Sequence, residues 1–334
     1  MSTISETTPP APMRTRRTAV PGNADTVRTI PDHPHLRLVE GASLSLYTTW
    51  RIGGPADLLV RVPTPADLIA ATTWARDEGL PVTVIGGGSN VLVGDRGIRG
   101  LVVVARTPGE RADGLLSVED RGDHVILRAG AQAPLSWVGR YCAERGWGGM
   151  DWGVGLPGTI GGATVNNAGA HGTEQKDHLL GVVVIDNMGH VQEHDRIWLA
   201  PRYRHTALKD APRPCPFHVL EAVFRLPKAD PNELVRLATE HADYRHLTQP
   251  TGACAGSTFT NPPGDFAGRL LEVAGLKGFA VGGVSFSTKH SNFIVNTGGA
   301  TAAHVRELIA TAQQRVADQF GIHLEPEIEE IGEP

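Results

Sequence analysis

The sequence is poor in the features that mark secreted, membrane and nucleic-acid-binding proteins. Its 334 residues include only three cysteines, Cys142, Cys215 and Cys254, and they form no Cys-x-x-Cys pair, so neither a disulfide framework nor a thiolate zinc site is indicated. Gly, Pro or charge interrupts every hydrophobic run before the roughly 20 apolar residues that a membrane helix needs. The formal net charge of -5 gives no general attraction to nucleic acid or anionic lipid. We therefore expect a cytoplasmic protein that binds neither nucleic acid nor membrane.

The chain is long enough for more than one domain. Residues 1–36 are rich in Thr, Pro and Arg and lack the apolar stretch of a secretory signal, so we predict a disordered tail. The remaining sequence divides into three predicted units by its pattern of strands and helices. Their limits are 37–105, 106–227 and 228–334.

The local patterns predict both strands and helices, which makes the fold class α+β. A β-rich run ends at Val62, and Thr64 then supplies a helix N-cap with Pro65 in the first turn. Residues 106–227 contain mainly strands, with a hairpin turn predicted at 187–189. Asp230 has the same capping pattern as Thr64, and the last helix carries a continuous apolar face.

Glycine is abundant, at 40 positions, and it clusters in loops that follow predicted strands. Three consecutive glycines at 86–88 can turn successive backbone N–H groups toward phosphate oxygens, although a tight turn is the simpler alternative. A second glycine-rich run covers residues 153–172. Its start matches the dinucleotide pattern G-x-G-x-x-G, but no apolar strand precedes Gly153 and more glycines break the helix that should follow. A Rossmann domain is therefore not predicted, whereas two glycine loops could hold one extended diphosphate cofactor.

The motifs around these loops resemble the UDP-N-acetylenolpyruvoylglucosamine reductase family. The FAD-binding half is represented by Thr49-Trp50-Arg51-Ile52-Gly53-Gly54, by residues 86–90 and by Leu156-Pro157-Gly158-Thr159-Ile160-Gly161-Gly162. The substrate half is represented, in order, by Tyr203-Arg204, Thr248-Gln249-Pro250, Ala255-Gly256-Ser257-Thr258-Phe259, Asn261-Pro262, Ala274-Gly275-Leu276-Lys277-Gly278, Lys289-His290-Ser291-Asn292-Phe293 and Pro326-Glu327-Ile328. The resemblance runs from about residue 40 to residue 334.

This resemblance implies a fold and an activity. The fold would be the FAD-binding fold of the vanillyl-alcohol-oxidase (PCMH) type in two subdomains, followed by a C-terminal α+β substrate domain. The activity would be reduction of a small-molecule substrate, a UDP-sugar enolpyruvyl ether, with FAD and NADPH in peptidoglycan synthesis. No segment between Tyr203 and Gln249 is long enough for the extra loop of the family's longer subclass, so the shorter subclass is predicted. We also expect a monomer and no metal site.

The resemblance also carries residue roles to matching positions. Ser257 would donate a proton to C2 after hydride reaches C3 through FAD, and Arg204 with Glu327, placed on a strand after the last helix, would stabilise the enolate. Without the resemblance, these residues would be interpreted as a turn serine, a solvated arginine and part of a surface acidic run. Predicted substrate contacts are Tyr203, Asn261, Lys277 and Lys289, the lysines being equally consistent with exposed loops. Predicted FAD contacts are Arg51, Ile52, Gly53, Gly86, Gly87, Gly88, Ser89, Asn90, Pro157, Gly158, Thr159, Gly161, Gly162, Asn167, Ala168 and Gly169.

Three positions depart from the family's usual residues: Trp50 stands for phenylalanine, His171 for tyrosine and Thr260 for lysine. The last departure removes one expected contact to substrate or NADPH. Two alternatives remain open. One is an FAD-dependent alcohol or sugar oxidase of the same superfamily, and the other is a flavin-free binding protein that has kept the fold.

Overall fold

The computed structural model describes residues 28–334, and its first two strands lie partly in the segment predicted as a tail. They are β1 (Arg28–Ile30) and β2 (His33–Ser43), and they pair antiparallel. Ile30, Leu36 and Leu38 are buried in the hydrophobic core of the first subdomain. The prediction of a disordered tail is therefore wrong for residues 28–36. The remainder of the predicted tail lies outside the described residues.

The first subdomain is a mixed sheet with one helix. Its further elements are β3 (Pro55–Arg61), α1 (Pro65–Asp77), β4 (Val82–Ile85), β5 (Val91–Val93) and β6 (Ile98–Val104). The five-stranded sheet has the order β1-β2-β3-β6-β4, in which β3, β6 and β4 run parallel. The predicted cap of α1 is confirmed, because the Thr64 hydroxyl accepts the N–H of Asp67. β4 ends at Ile85, and the first glycine loop, residues 86–90, follows it directly.

The second subdomain is an antiparallel sheet of order β12-β11-β13-β8-β7. Its elements are β7 (Leu116–Asp120), β8 (His124–Gly130), α2 (Leu135–Glu144), α3 (Ile160–Val165), β9 (Gly169–Ala170), β10 (Thr173–Glu174), β11 (Leu179–Asp186), β12 (Val191–Asp195), α4 (Arg196–Leu199), α5 (Ala207–Asp210) and β13 (Phe217–Pro227). The predicted hairpin is confirmed between β11 and β12. A 3-10 turn, Asp151–Gly153, stands where a Rossmann fold would need a strand.

The remaining elements are α6 (Pro231–Thr248), α7 (Ala267–Val273), β14 (Ala280–Val281), β15 (Val284–Phe286), β16 (Ile294–Asn296), α8 (Ala302–Phe320) and β17 (Glu329–Ile331). Asp230 caps α6 as predicted, accepting the N–H of Asn232. The apolar face of α8 packs into the C-terminal core through Val305, Leu308, Ala312 and Val316. No helix among residues 28–334 combines the length and apolar character needed to cross a lipid bilayer.

Two parts of the predicted C-terminal unit pack on the preceding subdomains. Leu234 and Ala238 of α6 are buried against Ala143 of α2 and Val154 in the second subdomain. β17 pairs in parallel with β5 of the first subdomain and with no strand of the C-terminal unit. In this pairing Glu329 lies opposite Val91. The three units therefore enclose a common cleft, which this last strand helps to close.

A carboxylate of the first subdomain also caps the last long helix. Asp95 accepts the backbone N–H of Ala302 through Oδ1 at 2.7 Å and that of Ala303 through Oδ2 at 3.0 Å. These N–H groups have no partner inside the helix, and negative charge is favoured at this end of the helix dipole.

We expect Asp95→Ala to lower the free energy of unfolding by about 1 kcal/mol, as loss of a helix cap does. Urea titration followed by circular dichroism measures the change. Asp243→Ala, which removes an exposed carboxylate from the middle of α6, is the control and should leave the midpoint almost unchanged. Equal losses in both variants would contradict the assigned capping role.

Candidate active site

A cleft with a volume of about 820 Å³ opens among the described residues. Its walls come from all three units: the loop after β4, the loop leading into α3, the turn that carries Arg204, the segment around Ser257 and the start of β17. The site is thus assembled at the meeting point of the units.

The two glycine loops approach each other too closely for side chains. A Cβ on Gly87 would lie 2.6 Å from the Cα of Gly158, and one on Gly86 would lie 2.5 Å from Oγ1 of Thr159. Gly88 and Gly158 have φ values of +63° and +117°, which glycine adopts without strain. The loops therefore present bare backbone to the cleft, which suits close contact with a phosphate-bearing cofactor such as FAD.

Most of the predicted cofactor residues line this cleft: Gly86, Gly87, Gly88, Ser89, Asn90, Pro157, Gly158, Thr159, Gly161, Gly162, Ala168 and Gly169. Arg51, Ile52, Gly53 and Asn167 do not belong to its lining. Ile52 packs in the C-terminal core, and Asn167 is buried, with its amide donating to Glu174 and to the carbonyl of Arg202. Ile52 and Asn167 are therefore buried outside the cleft lining and Arg51 is exposed, so their contacts with FAD stay predictions.

Arg204 occupies the tip of a tight turn closed by reciprocal backbone hydrogen bonds between Arg202 and His205. Its φ of +54° is uncommon for a residue with a side chain, and the turn holds it there. The guanidinium donates to the carbonyl of Gly169 at 2.8 Å, and its Nε lies 3.0 Å from Oε1 of Glu327. This strained turn thus aims the cation into the cleft beside the second glycine loop.

Glu327 meets Arg204 from the opposite wall. It lies two residues before β17, so its predicted place on a strand is wrong by that distance. Its backbone is nevertheless well fixed, because its N–H donates to the carbonyl of Thr258 and its carbonyl accepts from Nδ2 of Asn90 at 3.1 Å. Burial raises the pKa of Glu327, and the charges of Arg204 and Lys209 oppose that rise. The pair combines a carboxylate with an elevated pKa and a planar cation.

Ser257 also lines the cleft, next to Thr258 in the chain. Thr258 is held from both sides: its N–H donates to the carbonyl of Asn292 at 2.7 Å, and its own carbonyl accepts from Glu327. The structure therefore brings Ser257, Glu327 and Arg204 into one cleft from positions far apart in the sequence.

The predicted substrate contacts lie outside the cleft lining. Tyr203 is half exposed beside Arg204, while Asn261 accepts the N–H of Ala267 at the start of α7. Lys277 forms an ion pair with Glu272, and Lys289 donates to the carbonyl of His246. In the structure these four side chains are therefore engaged at the surface or in helix capping, and their substrate roles stay predictions.

Three cleft or near-cleft residues were missed from the sequence. Arg245 lines the cleft with its Nε buried and without a hydrogen bond among residues 28–334, and burial lowers its pKa. His218 lines the far end, where burial lowers its pKa to about 4, so it is neutral at physiological pH. Lys209 lies behind Arg204. The only signal for Lys209 was its place five residues after Arg204, and no motif distinguishes the other two.

Comparison with known proteins gives two matching family models. The FAD binding domain model matches residues 56–195, and the model of the C-terminal domain of UDP-N-acetylenolpyruvoylglucosamine reductase matches residues 248–331. The two matched ranges include the glycine loops, Ser257 and Glu327, whereas Arg204 lies in the segment between them.

Whole-chain relatives agree with these models. The UDP-N-acetylenolpyruvoylglucosamine reductase of Rubrobacter xylanophilus is 40% identical over 291 residues, covering 87% of this chain and 94% of the relative. That of Parasynechococcus marenigrum is 41% identical over 300 residues, covering 89% and 97%. The crystal structure of UDP-N-acetylenolpyruvylglucosamine reductase from Thermus caldophilus superposes with a TM-score of 0.71 at 33% identity, covering 89% of this chain and 99% of that one. The FAD-binding fold predicted from the sequence is thereby confirmed, and the chain belongs to the UDP-N-acetylenolpyruvoylglucosamine reductase family.

Proposed function

We propose that this protein reduces the enolpyruvyl ether of UDP-N-acetylenolpyruvoylglucosamine to UDP-N-acetylmuramate, with FAD and NADPH as cofactors and Ser257 as the proton donor. The observation that carries the proposal is the convergence of Ser257, Arg204 and Glu327 in the cleft that the two glycine loops open into. Bound FAD supplies the hydride chemistry, with NADPH as the reductant. The cytoplasmic location and the monomeric state stay predictions of the sequence.

The roles of Arg204 and Glu327 follow from the charge that the reaction creates. Hydride addition at C3 leaves negative charge at C2, which is tolerable only as an enolate spread onto the substrate carboxylate. The planar guanidinium of Arg204 suits both the carboxylate and the enolate. The hydrogen bond from the guanidinium to the carbonyl of Gly169 fixes the orientation of that cation, and the carboxylate of Glu327, 3.0 Å from Nε, supplies an opposite charge in a partly buried site.

The cleft also fits an anionic substrate. Arg245 is largely surrounded by protein, and among residues 28–334 its Nε has no hydrogen-bond partner and no carboxylate acts on its pKa. A desolvated arginine without an internal counter-charge favours an anionic ligand, such as a carboxylate or a diphosphate.

The role left for Ser257 is to donate the proton to C2. The second hydrogen must come from an exchangeable group, and a hydroxyl can supply it when the site stabilises the alkoxide and excludes water. The backbone next to Ser257 is fixed at the cleft, because Thr258 donates to Asn292 and accepts from Glu327.

We expect Gly87→Val to abolish FAD binding, because its side chain would collide with the backbone of Gly158 and occupy the space between the loops. Flavin absorbance after desalting, and after attempted reconstitution, measures the loss. Gly114→Val is the matched control, since a Cβ there meets no atom within 4 Å. A yellow Gly87→Val protein with a full complement of flavin would refute this placement.

Acid precipitation of the wild type should release the flavin, whereas retention in the pellet would indicate a covalent link and favour the oxidase alternative.

Arg204→Ala and Glu327→Gln should leave flavin reduction by NADPH nearly intact and slow reoxidation by the enolpyruvyl substrate by about 10²-fold or more, the range seen when a stabilising donor is removed. Stopped-flow absorbance separates the two half-reactions. Arg202→Ala removes a neighbouring, mostly exposed arginine and serves as the control. If both half-reactions slow equally, the two residues support the fold or the flavin instead.

Ser257→Ala should keep FAD content, NADPH oxidation and substrate binding while slowing C2 protonation by about 10²–10⁴-fold, the usual contribution of a positioned general acid. Turnover in D₂O places solvent deuterium at C2 in the wild type, and single-turnover product analysis gives the rate. Ser285→Ala, in β15 and outside the cleft lining, is the control. Wild-type turnover and labelling in Ser257→Ala would assign the proton to another group, with Glu327 the first to test.

A further inference from the structure

Lys209 lies in the short helix α5, directly behind the turn that carries Arg204. Its ammonium donates to Oδ1 of Asn166 at 2.9 Å and to the carbonyl of Arg204 at 3.4 Å, and it forms an ion pair with Oε1 of Glu329 at 3.4 Å. The side chain is only 15% exposed. The ammonium thus has two hydrogen-bond acceptors and one opposite charge, each from a different segment of the chain.

Each acceptor belongs to a different part of the site. Oδ1 of Asn166 also accepts from Nδ2 of Asn90, in the first glycine loop. The carbonyl of Arg204 belongs to a residue with a strained φ, and Glu329 begins the strand that follows Glu327. Lys209 thus connects three parts of the site: the first glycine loop, through Asn166, the turn that carries Arg204, and β17.

We propose that Lys209 is a positioning residue of the active site, which holds Arg204 and Glu327 in register with the first glycine loop. The inference rests on the proposed function for its effect on turnover. Its structural part, the coupling of Lys209 to Glu327, does not depend on that function. Lys209 lies outside the lining of the cleft, so it acts through its neighbours rather than by touching the substrate.

Lys209 also acts on Glu327 electrostatically. Burial raises the pKa of Glu327, while the positive charges of Arg204 and Lys209 lower it. The other charged groups around this pair are Glu174, 3.7 Å from Arg204, and Glu329, which contacts Lys209. Removing Lys209 takes away one of the positive charges that lower the pKa of Glu327. The pKa should therefore rise, and Glu327 should be protonated at higher pH.

The test compares Lys209→Met with Arg213→Met in the FAD-loaded protein. Both changes remove one positive charge that pairs with Glu329, but Arg213 is 54% exposed and does not contact Asn166 or Arg204. Because Arg213 lines the cleft, it is the control for the titration midpoint and not for turnover. Infrared difference titration follows the carbonyl band of protonated Glu327, which is assigned by its absence in Glu327→Gln. We expect its midpoint to move to higher pH in Lys209→Met and to stay near the wild-type value in Arg213→Met.

Reoxidation by the enolpyruvyl substrate should slow by about 10²-fold in Lys209→Met, the size expected when reacting groups are displaced by about 1 Å. Lys209→Arg keeps the charge but changes the donor geometry, so it should retain the titration midpoint while recovering only part of the rate. It also serves as the test variant if Lys209→Met fails to bind FAD or melts early.

An unchanged Glu327 midpoint together with a wild-type reoxidation rate in Lys209→Met would overturn the proposal, as would an equal shift of the midpoint in Arg213→Met. The titration needs neither substrate nor NADPH. A wild-type protein that does not turn over the enolpyruvyl ether would therefore defeat the proposed function while the coupling of Lys209 to Glu327 is still measured.

Discussion

The active site depends on a parallel pairing of two three-residue strands, β5 and β17. Residues 91–93 follow the first glycine loop, and residues 329–331 return to them across more than two hundred residues of chain. The N–H of Glu329 donates to the carbonyl of Asn90, and Nδ2 of Asn90 donates to the carbonyl of Glu327. Asn90 of the first glycine loop therefore holds the backbone on both sides of Ile328, which places Glu327 at the cleft. A small displacement of either strand would move both together.

The charges of the site balance one another. Burying a carboxylate without a partner is costly, so Glu327 needs cations nearby, and Arg204 needs anions in turn. The structure meets this requirement by placing opposite charges close together. Glu174 pairs with Lys176 and Arg204, Arg204 pairs with Glu327, and Lys209 and Arg213 both pair with Glu329. These opposite charges offset part of the cost of burying a guanidinium and a carboxylate at the cleft wall, while Lys176 and Arg213 remain accessible to solvent.

Local chemistry in the sequence predicted much of this architecture, and long-range pairing escaped it. The caps at Thr64 and Asp230, the β11–β12 hairpin and the bare glycine loops each depend on residues close together in the chain, and each is found in the structure. The motif resemblance also brought Ser257, Arg204 and Glu327 together. The pairing of β17 with β5 could not be read from three residues without periodicity. Nor could the partners of Lys277 and Lys289, which are the carboxylate of Glu272 in α7 and the backbone carbonyl of His246 in α6.

Because β17 lies near the end of the sequence, its pairing with β5 forms late during protein synthesis. Both glycine loops, the arginine turn and the serine segment are translated before residue 329 leaves the ribosome. A growing chain can therefore form most of the flavin cradle early, yet it still lacks the strand that brings in the carboxylate. A nascent chain that captured the cofactor at that stage would have no complete catalytic centre, because the carboxylate side of the cleft is added only when the last strand docks.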